Sequence, residues 1–120
     1  MEKNNKLALY VAYFLARFNY QAYEILNFGN QGAAHKSIGE ILDVNPHTVK
    51  NMRDEFDPLF GHRAGWYQRP LSPSREAIVN MMMNYNFDQV HSIVKEILVN
   101  RLEGESVNDL TQAVANEDET

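Results

Sequence analysis

Between His47 and Arg53 the chain holds five side chains suited to reading a nucleic acid: His47, Thr48, Lys50, Asn51 and Arg53. On a helix, residues three and four apart are surface neighbours, so His47, Lys50, Asn51 and Asp54 share one face. An Asn amide both donates and accepts, so Asn51 can pair bidentately with adenine, and His47 offers a ring nitrogen to a base edge. Asp54 on the same face would either reject bases or accept from the cytosine amine. Lys50 and Arg53 supply cations for phosphate oxygens. A second basic stretch follows in Gly61-His62-Arg63-Ala64-Gly65-Trp66-Tyr67-Gln68-Arg69-Pro70. There Arg63 and Arg69 would hold phosphates or reach a minor groove. Trp66 and Tyr67 have two readings, stacking on an unpaired base or anchoring the loop on the core.

Bond-breaking chemistry has little to work with. The His residues stand at 35, 47, 62 and 91, without metal-ligand spacing, and the chain has no Cys. Thiolate zinc sites, iron–sulfur clusters, disulfides and a Cys nucleophile are thereby excluded. No glycine-rich phosphate loop occurs. Divalent-metal nuclease chemistry needs carboxylates and a Lys converging on one site, and Asp54, Asp57 and Lys50 do not read that way: Asp54, Glu55 and Asp57 cluster at a helix end beside Pro58. The expectation is a chain that is not itself an enzyme and uses no metal or cofactor.

The elements that must position these residues can be read from residues 38–56. Ile38 and Leu42 lie four apart and face inward from a first helix. Gly39 falls where the next helix crosses it, and a small residue lets the two backbones approach. Asp43-Val44-Asn45 is the turn, with Val44 plugging the corner. Asn45 is a strong N-cap, and Pro46 follows at the first helical position, where its missing N–H is harmless. Val49, Met52 and Phe56 repeat at helical spacing and face the first helix. The helices are expected at about 33–42 and 46–56, forming a helix-turn-helix whose second helix enters the DNA major groove. The stretch resembles the motif of bacterial and phage DNA-binding proteins, Ile-Ala-x-x-Leu-Gly-Val-Ser-x-x-Thr-Val. Gly39 stands for the Ala, Asp43 for the turn Gly and Asn45 for the Ser. The Asp43 departure matters most, because that position usually needs a positive φ, which Asp tolerates better than most residues.

The fold class read from the chain is all-α, a small helical bundle containing a helix-turn-helix, with an irregular or wing-like loop at about 57–72. Lys6–Phe28 reads as helix with a break near Asn19-Tyr20. Its stretch Leu7–Ala16 is apolar on every face, which a helix tolerates at the centre of a core or against another subunit. Both readings stand, so a homodimer through residues 7–18 is one expectation. Gly29-Asn30-Gln31-Gly32 is a loop. A helix is expected from Ser72-Pro73-Ser74 to about Tyr85, with Ala77, Ile78, Met81 and Met82 inward. A last helix at about 88–101 follows the cap Asn86-Phe87-Asp88 and buries Val90, Ile93, Val94, Ile97 and Leu98.

A chain of 120 residues is one domain by length. Its division is residues 1–101, the helical domain, and residues 102–120, an acidic tail expected to be flexible. The net charge is −5, yet residues 102–120 hold six acids and no Lys or Arg, which leaves the first 101 residues at +1. The acidity is a property of the tail, and DNA affinity is expected to be modest and salt-sensitive. Leu7–Phe18 lacks a cleavage site and is too short to cross a bilayer, so a cytoplasmic location without membrane contact is expected.

The span from Lys6 to about Leu98 also resembles a helical domain found at the N-terminus of some bacterial restriction-type nucleases. The resemblance rests on Leu-Ala-Leu-Tyr-Val-Ala-Tyr-Phe-Leu-Ala-Arg-Phe, on Ile-Gly-Glu-Ile-Leu-Asp-Val-Asn-Pro-His-Thr-Val-Lys-Asn-Met-Arg-Asp-Glu-Phe-Asp, on Gly-His-Arg-Ala-Gly-Trp-Tyr-Gln-Arg-Pro and on Ser-Pro-Ser-Arg. It implies a module that targets DNA for restriction-modification, its nuclease part lying outside these residues. A small transcriptional regulator is the other form of the same reading. The rival is a protein-interaction module, an inhibitor or adaptor docking through the apolar first helix and acidic tail.

Overall fold

Every residue from Leu7 to Ala16 is buried in the computed structural model, none of them more than 3% exposed. The structure describes residues 2–62 and 70–102. Among these the elements are α1 (Lys3–Phe18), α2 (Tyr20–Leu26), α3 (Gln31–Leu42), α4 (Pro46–Phe56), a single 3₁₀ turn (Asp57–Leu59), α5 (Pro73–Met82) and α6 (Phe87–Leu102), with no strand. The protein is all-α. All five other helices pack on α1, and α4 does so most extensively. That arrangement explains how a short chain wraps one helix on all sides. Tyr10, Tyr13, Phe14, Leu9 and Leu15 are fully enclosed, and each such side chain contributes about 1.5–3 kcal/mol.

The enclosure of α1 favours the core reading of Leu7–Ala16 over a homodimer through residues 7–18. Leu7–Ala16 has no surface left for a second copy, because its apolar faces are spent on the core of its own chain. The same enclosure leaves Leu7–Ala16 unavailable to another protein, while the acidic tail lies outside the described residues.

The break expected near Asn19 is present. Asn19 has φ 46° and ψ −114°, a conformation suited to Gly, and it separates α1 from α2. Arg17 reinforces the corner. Its guanidinium donates to the Met82 carbonyl at 2.9 Å and lies 4.7 Å from the centre of the Phe18 ring, tying the end of α5 to the end of α1. At the start of α6, Asn86 Oδ1 accepts from the Gln89 N–H at 2.9 Å and Gln89 Oε1 accepts from the Asn86 N–H at 2.8 Å. This reciprocal capping box fixes the helix start. Phe87, just inside it, meets Phe18 edge-on at 5.0 Å.

Several boundaries differ from expectation, and α1 begins at Lys3 instead of Lys6. Helix α3 begins at Gln31 instead of about residue 33, because the Asn30 side chain accepts from the Ala33 N–H at 2.8 Å and caps it. Helix α5 ends at Met82, short of Tyr85, and Ala77 is exposed instead of inward. The wing-like loop is described only at its margins. Its first part is the 3₁₀ turn, closed by Gly61 at φ 71°. Residues 63–69 and 103–120 lie outside the described residues, and with them the expected loop conformation and the flexible tail.

Candidate nucleic-acid interface

The turn between α3 and α4 is built as its residues dictate. Asp43 adopts the left-handed conformation, φ 57° and ψ 49°, and caps α3 with its N–H donating to the Gly39 carbonyl. The Val44 N–H reaches the same carbonyl at 2.9 Å. A Cβ placed on Gly39 would stand 2.6 Å from the Val44 carbonyl oxygen and 3.2 Å from the Pro46 nitrogen. Glycine is therefore required where the turn folds back over α3. Asn45 Oδ1 accepts from the His47 N–H at 2.8 Å, and Pro46 opens the helix. Val49, Met52 and Phe56 are buried against the core, as their spacing predicts.

Three of the expected contact residues, His47, Lys50 and Asn51, are exposed on the first part of α4, and Thr48 is half-buried beside them. Lys36 is exposed on α3, as are the acids Glu40 and Asp43. The two-helix surface is thus mixed in charge. Arg63, Arg69, Trp66 and Tyr67 fall outside the described residues.

Arg53 and Asp54 are not on that surface. Arg53 is 4% exposed and Asp54 5%. Helical periodicity alone puts Asp54 on the face of His47, Lys50 and Asn51, but its carboxylate is drawn in between Lys50 and Arg53, the latter held by Tyr23 of α2 and Gln31 of α3. Arg53 is used inside the fold. Its Nε and Nη2 donate to Asp54 Oδ1 at 3.1 and 2.7 Å. Its Nη1 donates to Tyr23 Oη at 2.8 Å and to Gln31 Oε1 at 2.9 Å. Asp57 Oδ2 is 3.9 Å from Nε. Tyr23 Oη is 2.6 Å from His35 Nε2, an arrangement satisfied when the phenol donates its proton to the imidazole. The expectation that Arg53 holds phosphate and that Asp54 reads a base is corrected accordingly: a buried cation and its carboxylates must be paired, and here they pair with each other.

The electrostatics follow. Burial by itself would push the Asp54 carboxyl up, but the hydrogen bonds from Lys50 and Arg53 and their charges outweigh it and hold the group below its ordinary value. Burial would likewise lower Arg53, and its bonds to Asp54 and Tyr23 reverse the direction. Lys50 is the link to the surface. Its ammonium donates to Asp54 Oδ2 at 2.9 Å while its side chain stays 49% exposed. The same ammonium is thus partly neutralised by a buried carboxylate while remaining open to solvent.

Two further basic side chains are engaged within the fold. His35 is buried in the Arg53 cluster. Arg75 donates to both Glu55 oxygens, at 3.0 and 3.3 Å, joining α5 to α4. Sequence reasoning missed the roles of Tyr23, Gln31, His35 and Asp57. The available signal was Arg53 itself, four residues after Val49 and three before Phe56, on the buried stripe of α4. Among the described residues no group of three or more His, Cys, Asp or Glu could hold a metal ion, and no helix is long and apolar enough to cross a membrane. Comparison with models of protein families, with curated proteins and with solved structures finds no match to this chain.

Proposed function

We propose that the chain binds double-stranded DNA, with the first half of α4 in the major groove. The observation that supports this is the three-residue turn Asp43–Asn45, which delivers a capped helix presenting His47, Lys50 and Asn51 to solvent. Asn51 pairs with adenine through its amide, and His47 reads a neighbouring base edge. Lys50 trades Asp54 for a backbone phosphate, and Arg53 keeps the Asp54 charge compensated when it does. Lys36 on α3 adds a second backbone contact. The module serves either a small regulator or the targeting part of a larger DNA-processing protein.

Among the described residues of α3 and α4 only Lys36 and Lys50 are exposed cations, so their electrostatic part of the affinity is small. Each neutralised phosphate contributes about −0.9 to the slope of log affinity against log salt. Anisotropy titrations of a fluorescent duplex pool at several salt concentrations test the reading. Saturable binding with a shallow negative slope supports it, and absence of duplex binding at low salt overturns it.

A further inference from the structure

Tyr23 and Gln31, which hold the Arg53 guanidinium from one side, also line a cleft of about 420 Å³ on the other, together with Asn19, Tyr20, Glu24 and Asn30. We propose that this cleft, between α2 and the start of α3, binds an uncharged nucleobase. Its volume lies in the range of small-molecule sites. Its lining carries no Lys, Arg or His, which argues against an anion as the recognised group. The side chains instead match a planar ring with mixed hydrogen-bonding edges. Asn30 Oδ1 is committed to the Ala33 N–H and Gln31 Oε1 to Arg53, so each offers a ligand its amide NH₂ as donor. Glu24 offers acceptors to an exocyclic amine or ring N–H. Tyr20, 75% exposed at the rim, offers a ring face for stacking.

The backbone is consistent with such a role. Asn19, whose φ of 46° and ψ of −114° favour glycine, is nevertheless a side-chain-bearing residue at the cleft. Strained positions of this kind cluster at ligand sites. A base seated here contacts the two side chains that hold Arg53, so occupancy is transmitted to Asp54 and Lys50 on α4. The base comes from either a free nucleoside or an unpaired position of a strand.

Heteronuclear NMR on the ¹⁵N-labelled full chain, without duplex DNA, tests the site separately from the groove reading. The probes are adenosine, guanosine, cytidine and thymidine, each to about millimolar concentration, their monophosphates, and a single-stranded oligonucleotide. The expected result is saturable shifts at Tyr20, Glu24 and Gln31 with a smaller shift at Arg53 Nε–H, and no gain from the monophosphate. Tyr20→Ala and Glu24→Gln, both at exposed positions, are each expected to weaken binding about tenfold. Shifts with nucleosides identify a free ligand, and shifts only with the oligonucleotide identify a base presented by a strand. Either supports the site. No cleft shifts with any probe, parental affinity in both variants, or binding that depends on the phosphate overturns it.

Discussion

Arg53 grips one oxygen of Asp54 with two N–H groups, at 3.1 and 2.7 Å, and leaves the other oxygen to Lys50 at 2.9 Å. One carboxylate thereby connects a buried cation to an exposed one. Because Arg53 holds one oxygen, Lys50 can leave Asp54 without stranding an uncompensated charge in the interior.

Removing Arg53 should therefore act on stability. Arg53→Ala leaves Asp54 and Asp57 buried with a lost partner, and losses of about 3–5 kcal/mol are typical of such breaks. Arg53→Met keeps the stem and should cost less, yet still destabilise. Urea unfolding monitored by circular dichroism is the check. Parental stability of Arg53→Ala would mean the cluster is not holding α2, α3 and α4 together.

Acid should reveal the same carboxylate. The folded pKa of Asp54 lies below its ordinary value, so its contribution is fully present above the ordinary carboxylate range, near pH 4. It declines as the pH falls through that range toward the lower folded value. Asp54→Asn should be less stable than the parent at neutral pH, and its loss of stability below about pH 4 should be shallower. Unfolding curves from neutral to acidic pH measure both slopes, and parallel slopes contradict the assignment.

The turn was legible because its chemistry is local. Asn45 and Pro46 announce a helix start by capping and fixed φ, and Asp43 and Gly39 fill positions that backbone sterics reserve for few residues. The buried stripe Val49, Met52 and Phe56 followed from spacing. What spacing could not give was the burial of Arg53 and Asp54 on the second half of α4. Asp54 continues the face of His47 and Asn51, and only the Arg53 cluster, with Tyr23 of α2 and Gln31 of α3, shows that it is drawn into the interior. The all-round apolar character of α1 was equally ambiguous, since periodicity is silent on whether five helices of the same chain or a second copy encloses Leu7–Ala16.

The Gly39 and Asp43 geometry makes paired predictions of opposite sign. Gly39→Ala forces a Cβ to 2.6 Å from the Val44 carbonyl, and overpacking of this kind costs about 1–3 kcal/mol. Asp43→Gly relieves the left-handed φ of 57° and should leave stability unchanged or raise it by up to about 1 kcal/mol. Thermal unfolding of both variants tests this. A tolerated Ala at 39 would contradict the close approach of the turn to α3.

The acidic segment gives a prediction about regulation. Arg101 Nε donates to the Ile41 carbonyl at 3.3 Å, so α6 ends beside the end of α3, next to the turn. Residues 103–120, with their six acids, follow from there. Deleting 103–120 should tighten duplex binding, most at low salt, where charge attraction is least screened. Unchanged affinity at every salt concentration would remove autoinhibition by this segment.

The central claim is that α4 reads DNA through its exposed first half, and a selection of bound duplexes followed by anisotropy on the parent, Lys50→Ala, Asn51→Ala and Arg53→Met tests it most directly. The account predicts that Lys50→Ala weakens all duplexes alike and reduces the salt slope by about one. Asn51→Ala should relax preference at one base pair by about 1–3 kcal/mol, and folded Arg53→Met should keep the parental sequence preference. Parental affinity and preference in both the Lys50 and Asn51 variants would contradict the account.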